Sequence, residues 1–307
     1  VSFEPGELCN VPAENLIEPG EDLRHGMWPR SLALWMAATW IALFLIRPWE
    51  KLFPGLAEIH FARVYALSMI AVVVCSGNLR LEISSKTFGV LGFAFTLCVS
   101  WMAAWRPLLA WEMIYEYFTL LAFYFVLLST IRTPYGLVFV AASYIVVMAM
   151  YLGKAQVEFF FFGENWYDQG VKRMVGIETT YGGPNAVAES TMLSMPILAF
   201  LWRNRIQFTQ IWPNGWRKWF SRGLVFYLWL AVTSILLTNS RTGMISFAFF
   251  LVLLSLSGKQ LGRTVVCLLV AILVTAAIWV VMPQEQKGRL RTVWDPDSGP
   301  ANSQASA

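Results

Sequence analysis

The chain has 307 residues, is 57% hydrophobic and only 14% charged, and carries a net charge of +4. A soluble domain carries about 25% charged residues, so this composition excludes a water-facing globular enzyme and selects a chain that lies in lipid. The small positive balance is spread among loops without a basic stripe, which excludes a nucleic-acid partner.

Residues 1–30 are polar and acidic, with Glu4, Glu7, Glu14, Glu18, Glu21 and Asp22. They lack the basic start of a cleavable signal peptide and are expected to form a polar cytoplasmic segment. From residue 31 to 282, apolar runs of near-spanning length recur. They predict about nine helices, at 31–47, 61–77, 87–105, 113–131, 135–152, 184–202, 223–238, 242–257 and 264–282. Several are short for a span, which flanking residues such as Arg47 and Trp49 accommodate at the headgroup level. The expected fold is therefore all-α, a polytopic transmembrane helical bundle whose partners include membrane lipids. No twofold internal repeat stands out, which weighs against a transporter built from inverted repeats. Residues 283–307 are expected to open a further loop.

Lys and Arg are nearly level between the two sides, and one loop decides the orientation. Arg203, Arg205, Arg217, Lys218 and Arg222 cluster between the sixth and seventh runs and should face the cytoplasm. Residues 153–183, the turn Asn239–Thr242 and the tail from Pro283 then share the outer face. Of the four cysteines, none sits in a Cys-x-x-Cys; they read as small buried hydrophobes. With His25 and His60 the only histidines, a His-based metal site is not expected, and no residue pattern calls for a cofactor.

The outer segments hold the distinctive residues. In the first, Gly183, Pro184 and Asn185 open a helix, and Arg173 lies shortly before it. Pro184 suits the first helical position. Asn185 then falls where backbone N–H groups are unpaired and the dipole is positive. An anion dock and an ordinary loop whose Arg meets lipid phosphate both fit. Glu189, about one turn further in, implies either a partner Arg or polar cavity, or a solvated place at the interface. In the second segment, Thr238-Asn-Ser240-Arg241-Thr-Gly243 joins two apolar helices almost without a loop. Arg241 is thereby pinned, and a guanidinium offers phosphate a bidentate grip that an ammonium lacks. Ser240 supports it. In the third, Lys287, Arg289 and Arg291 lie outside against the charge rule, as a phosphate-binding or a surface-anchoring cluster. The run Phe159–Phe162 with Trp166 and Tyr167 is expected in the interface plane as an anchor, or lining a lipid or sugar site.

In order and spacing, Arg173-x-x-Gly176 with Gly183-Pro-Asn185, then Leu237-Thr-Asn-Ser-Arg241-Thr-Gly243, then the Arg289/Arg291 stretch resemble the O-antigen ligase family. Ile46-Arg-Pro-Trp-Glu50 is also similar to such proteins. The resemblance implies a longer fold of about twelve spans, of which this chain is expected to be a truncated part that continues beyond Ala307 and is inactive alone. It implies a glycosyltransferase of the bacterial inner membrane, active at the periplasmic face. The glycan would move from an undecaprenyl-pyrophosphate donor to lipid A core, another glycan or a protein. Arg241, Arg173, Arg289, Arg291 and Asn185 would hold the pyrophosphate, with Ser240, Glu189, Gly183 and Pro184 in support. The family's base is a His on a large periplasmic loop, and neither His25 nor His60 matches it. An O-antigen polymerase would use the same arginines. A transporter or carrier of a phosphorylated lipid or solute would use them without bond-making.

Overall fold

A computed structural model describes residues 31–46, 61–76, 84–168, 171–177, 182–210 and 212–256, with Pro29 and Lys287. The described chain is mostly helical. The helices are α1 (Leu32–Ile46), α2 (Phe61–Cys75), α3 (Ser85–Met102), α4 (Pro107–Thr130), α5 (Pro134–Val157), α6 (Pro184–Phe208), α7 (Asn214–Leu237) and α8 (Arg241–Leu256). Between α5 and α6 lies an antiparallel hairpin, β1 (Asn165–Asp168) and β2 (Val171–Met174), which departs from the all-α expectation. Its strands are four residues each, too short for their alternation to stand out in the sequence.

Among the described residues, four helices are long and apolar enough to cross a membrane: Ser85–Met102, Met113–Thr130, Pro134–Phe162 and Asn214–Leu237. The expected nine spans are not all carried by the described residues. Helices α1 and α2 have 15 residues each and α8 has 16. At about 1.5 Å per residue their described parts reach roughly 23 Å, against a hydrocarbon core about 30 Å thick. Helix α6 has 25 residues but carries Glu189, Arg203 and Arg205, which lower its hydropathy. The run at 264–282 lies outside the described residues, as do the acidic N-terminal segment and the tail apart from Pro29 and Lys287. Large apolar side chains such as Phe88, Phe95, Leu108 and Phe249 lie exposed on these helices, the surface a bilayer would cover.

The chain divides into two compact units. In the first (Val1–Thr39, Arg63–Val140 and Phe208–Asn214), α3 packs on α4. Tyr117 Oη donates to Val90 O at 3.0 Å, and the Phe93 and Tyr117 rings meet edge-on at 5.2 Å. Ser84 caps α3 by accepting from Thr87 N at 3.2 Å. Helix α4 starts at Pro107, nearly two turns before the predicted residue 113, because proline suits the first helical position. Cys75 is exposed and Cys98 half-buried, so neither is the fully buried hydrophobe expected.

The second unit (Trp40–Ala62, Ala141–Gln207 and Gly215–Ala307) holds most of α5 to α8 and the hairpin. Gln156 on α5 is buried and its Nε2 donates to Leu230 O at 3.0 Å, Thr233 Oγ1 at 2.7 Å and Ser234 Oγ at 2.9 Å on α7. Tyr227 Oη on α7 donates to Ser194 Oγ on α6. Such polar ties hold apolar helices together where burial alone gives no drive. At the far end of α6, Arg205 stacks on Trp202 at 3.9 Å, and on α7 Arg222 lies 5.6 Å from the Trp219 ring.

The segment 153–183, expected to be a loop, is largely structured. Helix α5 runs to Val157 and continues as a π-helical turn, Glu158–Phe162. The Lys154–Glu158 ion pair at 3.4 Å carries the helix through polar positions that interrupt the apolar run. The phenylalanine run is therefore the end of a helix, closed by Gly163 in the left-handed region (φ 68°). Trp166 faces Arg173 across the hairpin register.

Candidate anion site at two helix starts

Helix α6 begins as its residues dictate. Pro184 occupies the first helical position, and Val187 N donates to Gly183 O at 3.1 Å. Gly183 is therefore the cap residue, and Asn185 sits in the first turn, exposed. Glu189 follows four residues on, on the same helix face and also exposed, and among the described residues it makes no ion pair.

The corner between α7 and α8 is built from three buried residues. Thr238 Oγ1 donates to Ile235 O at 2.8 Å, ending α7. Asn239 reverses the chain at φ 48°, a left-handed conformation that asparagine tolerates better than most residues. Ser240 caps α8, its Oγ accepting from Gly243 N at 3.2 Å. Arg241 is then the first residue of α8 and is half-buried.

Arg173 joins the two helix starts. It lies on β2 and is 5% exposed. Its Nε donates to Thr238 O at 2.9 Å, and its Nη2 donates to Asn185 Oδ1 at 2.7 Å. A further tie runs from Asn239 Nδ2 to Lys172 O at 3.1 Å. Behind them α8 lies hard against α6: a Cβ placed on Gly243 would meet Ala188 Cβ at 2.6 Å. The hairpin, the start of α6 and the α7–α8 corner thus meet through the predicted residues Arg173 and Asn185; Gly183 and Pro184 open α6, Ser240 and Arg241 open α8, and Glu189 lies one turn into α6. Arg289 and Arg291 lie outside the described residues.

The electrostatics of this junction are positive. Helices α6 and α8 both direct their N-termini here, each equivalent to roughly half a positive charge, and Arg173 and Arg241 add formal charge. By position, Asn185 N and Ala186 N in α6 and Arg241 N and Thr242 N in α8 have no intrahelical acceptor. The arrangement suits an anion with several oxygens. Three participants escaped the sequence reading: the carbonyls of Thr238 and Lys172, and the Asn239 side chain, whose buried Oδ1 has no hydrogen-bond partner among the described residues. The Asn239-Ser240 pair between two apolar runs is a sequence signal for such a corner. No cluster of three or more His, Cys, Asp or Glu that would hold a metal occurs among the described residues.

No family model, curated protein or solved structure matches the chain.

Proposed function

We propose that this chain belongs to a multi-pass glycosyltransferase of the bacterial inner membrane, similar to O-antigen ligases. It takes a glycan from an undecaprenyl-pyrophosphate donor and passes it to lipid A core, a glycan or a protein at the periplasmic face. The observation that carries the reading is the joining of the Asn185 helix start to the Arg241 helix start through buried Arg173. A pyrophosphate is an activated leaving group. The protein has to stabilise the charge that develops on it and hold an acceptor hydroxyl in line. Donors fixed by helix starts and buried ties reorganise little during such a step. Arg241 grips the phosphate oxygens in a bidentate fashion, and Asn185 adds a neutral donor. The basic and aromatic residues Trp202, Arg205, Trp219 and Arg222 mark the opposite end of α6 and α7. By the positive-inside rule that end is cytoplasmic, which supports a periplasmic site.

The test is Arg241→Lys, which keeps the charge and removes the planar fork. Glycan transfer is measured in membranes supplied with an undecaprenyl-linked donor, alongside binding of that donor. At matched insertion, transfer by the full-length protein is expected to fall about a hundredfold, the scale of losing one preorganised donor. Wild-type transfer in the Lys variant refutes the role. Donor binding without transfer to any acceptor favours a carrier, and transfer only to the growing glycan favours a polymerase.

A further inference from the structure

We propose that Arg173 is a positioning residue that locks the Asn185 amide as a hydrogen-bond donor to a diphosphate oxygen, an inference that rests on the reading just given. A guanidinium carries donors only. The Asn185 atom that meets Arg173 Nη2 at 2.7 Å is therefore the amide oxygen. The amide NH2 is turned away from Arg173, and among the described residues it meets no acceptor. A half-turn of the amide would set NH2 against the guanidinium, so the donor orientation is locked. Asn185 is exposed while Arg173 is 5% exposed and lies behind it. The side chain that reaches a ligand is thus the asparagine. The Nε of the same guanidinium holds Thr238 O, three residues before Arg241. One buried group therefore sets the spacing between the two places that grip the diphosphate. What Asn185 presents, with the first-turn backbone N–H groups beside it, is donors alone. A diphosphate oxygen, with lone pairs and negative charge, is the matching chemistry.

The experiment uses the full chain purified in detergent, with geranylgeranyl diphosphate and inorganic diphosphate as probes. Dissociation constants and thermal unfolding are measured for the wild type, Asn185→Asp, Asn185→Ala, Arg173→Lys and the Arg173→Lys/Asn185→Ala double variant. Asn185→Asp retains an acceptor for Arg173 and an acidic group at a helix start, so it should fold. It should nonetheless bind diphosphate about tenfold or more weakly, about 1.4 kcal/mol, since a carboxylate cannot donate. Arg173→Lys should weaken binding by a similar factor in the wild-type background. Once Asn185 is Ala its added effect should be clearly smaller than in the wild-type background, because the part that runs through that residue is already lost. Undiminished binding by Asn185→Asp overturns the inference, and so does a full additive loss in the double variant, which would make Arg173 a direct contact. Should Arg173→Lys fail to fold, the Asn185→Asp result decides alone. A wild type that binds neither probe overturns the functional reading together with this one. Equal binding by Asn185→Asp and a binding-competent wild type overturns only this one. Equal affinity for the two probes supports the donor and assigns the ligand to the free anion, and a preference for the prenyl probe supports the donor and assigns it to a lipid.

Discussion

Gly243→Ala tests how tightly the two helix starts are coupled. A methyl group there would lie 2.6 Å from Ala188 Cβ. Unbonded carbons settle at about 3.5–4.0 Å, so α8 has to move from α6 by about 1 Å. Neither partner can swing aside, because an alanine Cβ is fixed by its backbone. Overpacking of this kind costs about 1–3 kcal/mol. The shift acts where Ser240 caps α8 and Arg241 begins it, so it should also disturb the site. Misplacement by about 1 Å costs a positioned reaction about a hundredfold. The assays are unfolding in mixed micelles and diphosphate affinity. Ala188→Gly in the same chain removes the opposing carbon and should restore most of both. Wild-type stability in Gly243→Ala, or no recovery in the double variant, refutes the close approach.

Ser240→Ala removes the cap from Gly243 N, which is buried, and should cost about 1 kcal/mol. The check is thermal unfolding, with Ser240→Thr retaining most of the stability. Gln156→Leu keeps the bulk but removes the α5–α7 ties to Leu230, Thr233 and Ser234. It should destabilise by about 1 kcal/mol in mixed micelles, the scale of interhelical hydrogen bonds in membranes. Its diphosphate affinity should stay near wild type, because none of its partners touches the anion site.

The helices were legible wherever an apolar run met a clear stop. Pro184 at the start of α6 and the Asn239-Ser240 break before α8 were both placed within a residue. Helix ends are hidden in the sequence where polar residues continue a helix. The first turns of α7 hold Trp216, Arg217, Lys218 and Trp219, an amphipathic stretch that an apolar-run criterion passes over. Lys154 and Glu158 sustain α5 beyond its apolar run by pairing with each other. The members of the site were visible because Gly, Pro, Asn and Arg at helix starts have few structural alternatives. The link between them was not. Arg173 finds its acceptor 65 residues away in a backbone carbonyl, a group that every residue carries. Only the left-handed turn at Asn239 and the corner it makes bring Thr238 O within reach.

That link separates stability from ligand binding in a way the variants can read. Arg173, Asn239, Ser240 and Gly243 are buried at the junction and hold one helix start against the other. Changing any of them disturbs packing first and the site as a consequence, so stability and affinity should fall together. Asn185 and Glu189 are exposed, and Arg241 is half-buried at the first position of α8. Surface changes away from packed groups usually shift stability by less than about 0.5 kcal/mol. Asn185→Asp keeps the acceptor for Arg173 and Arg241→Lys keeps the charge, so the losses in these two variants should fall mainly on the ligand. A junction that served only to join helices would show the first pattern without the second. The Asn185→Asp and Arg241→Lys variants, folded but unable to hold a diphosphate, are what distinguish a binding site from a helix splice.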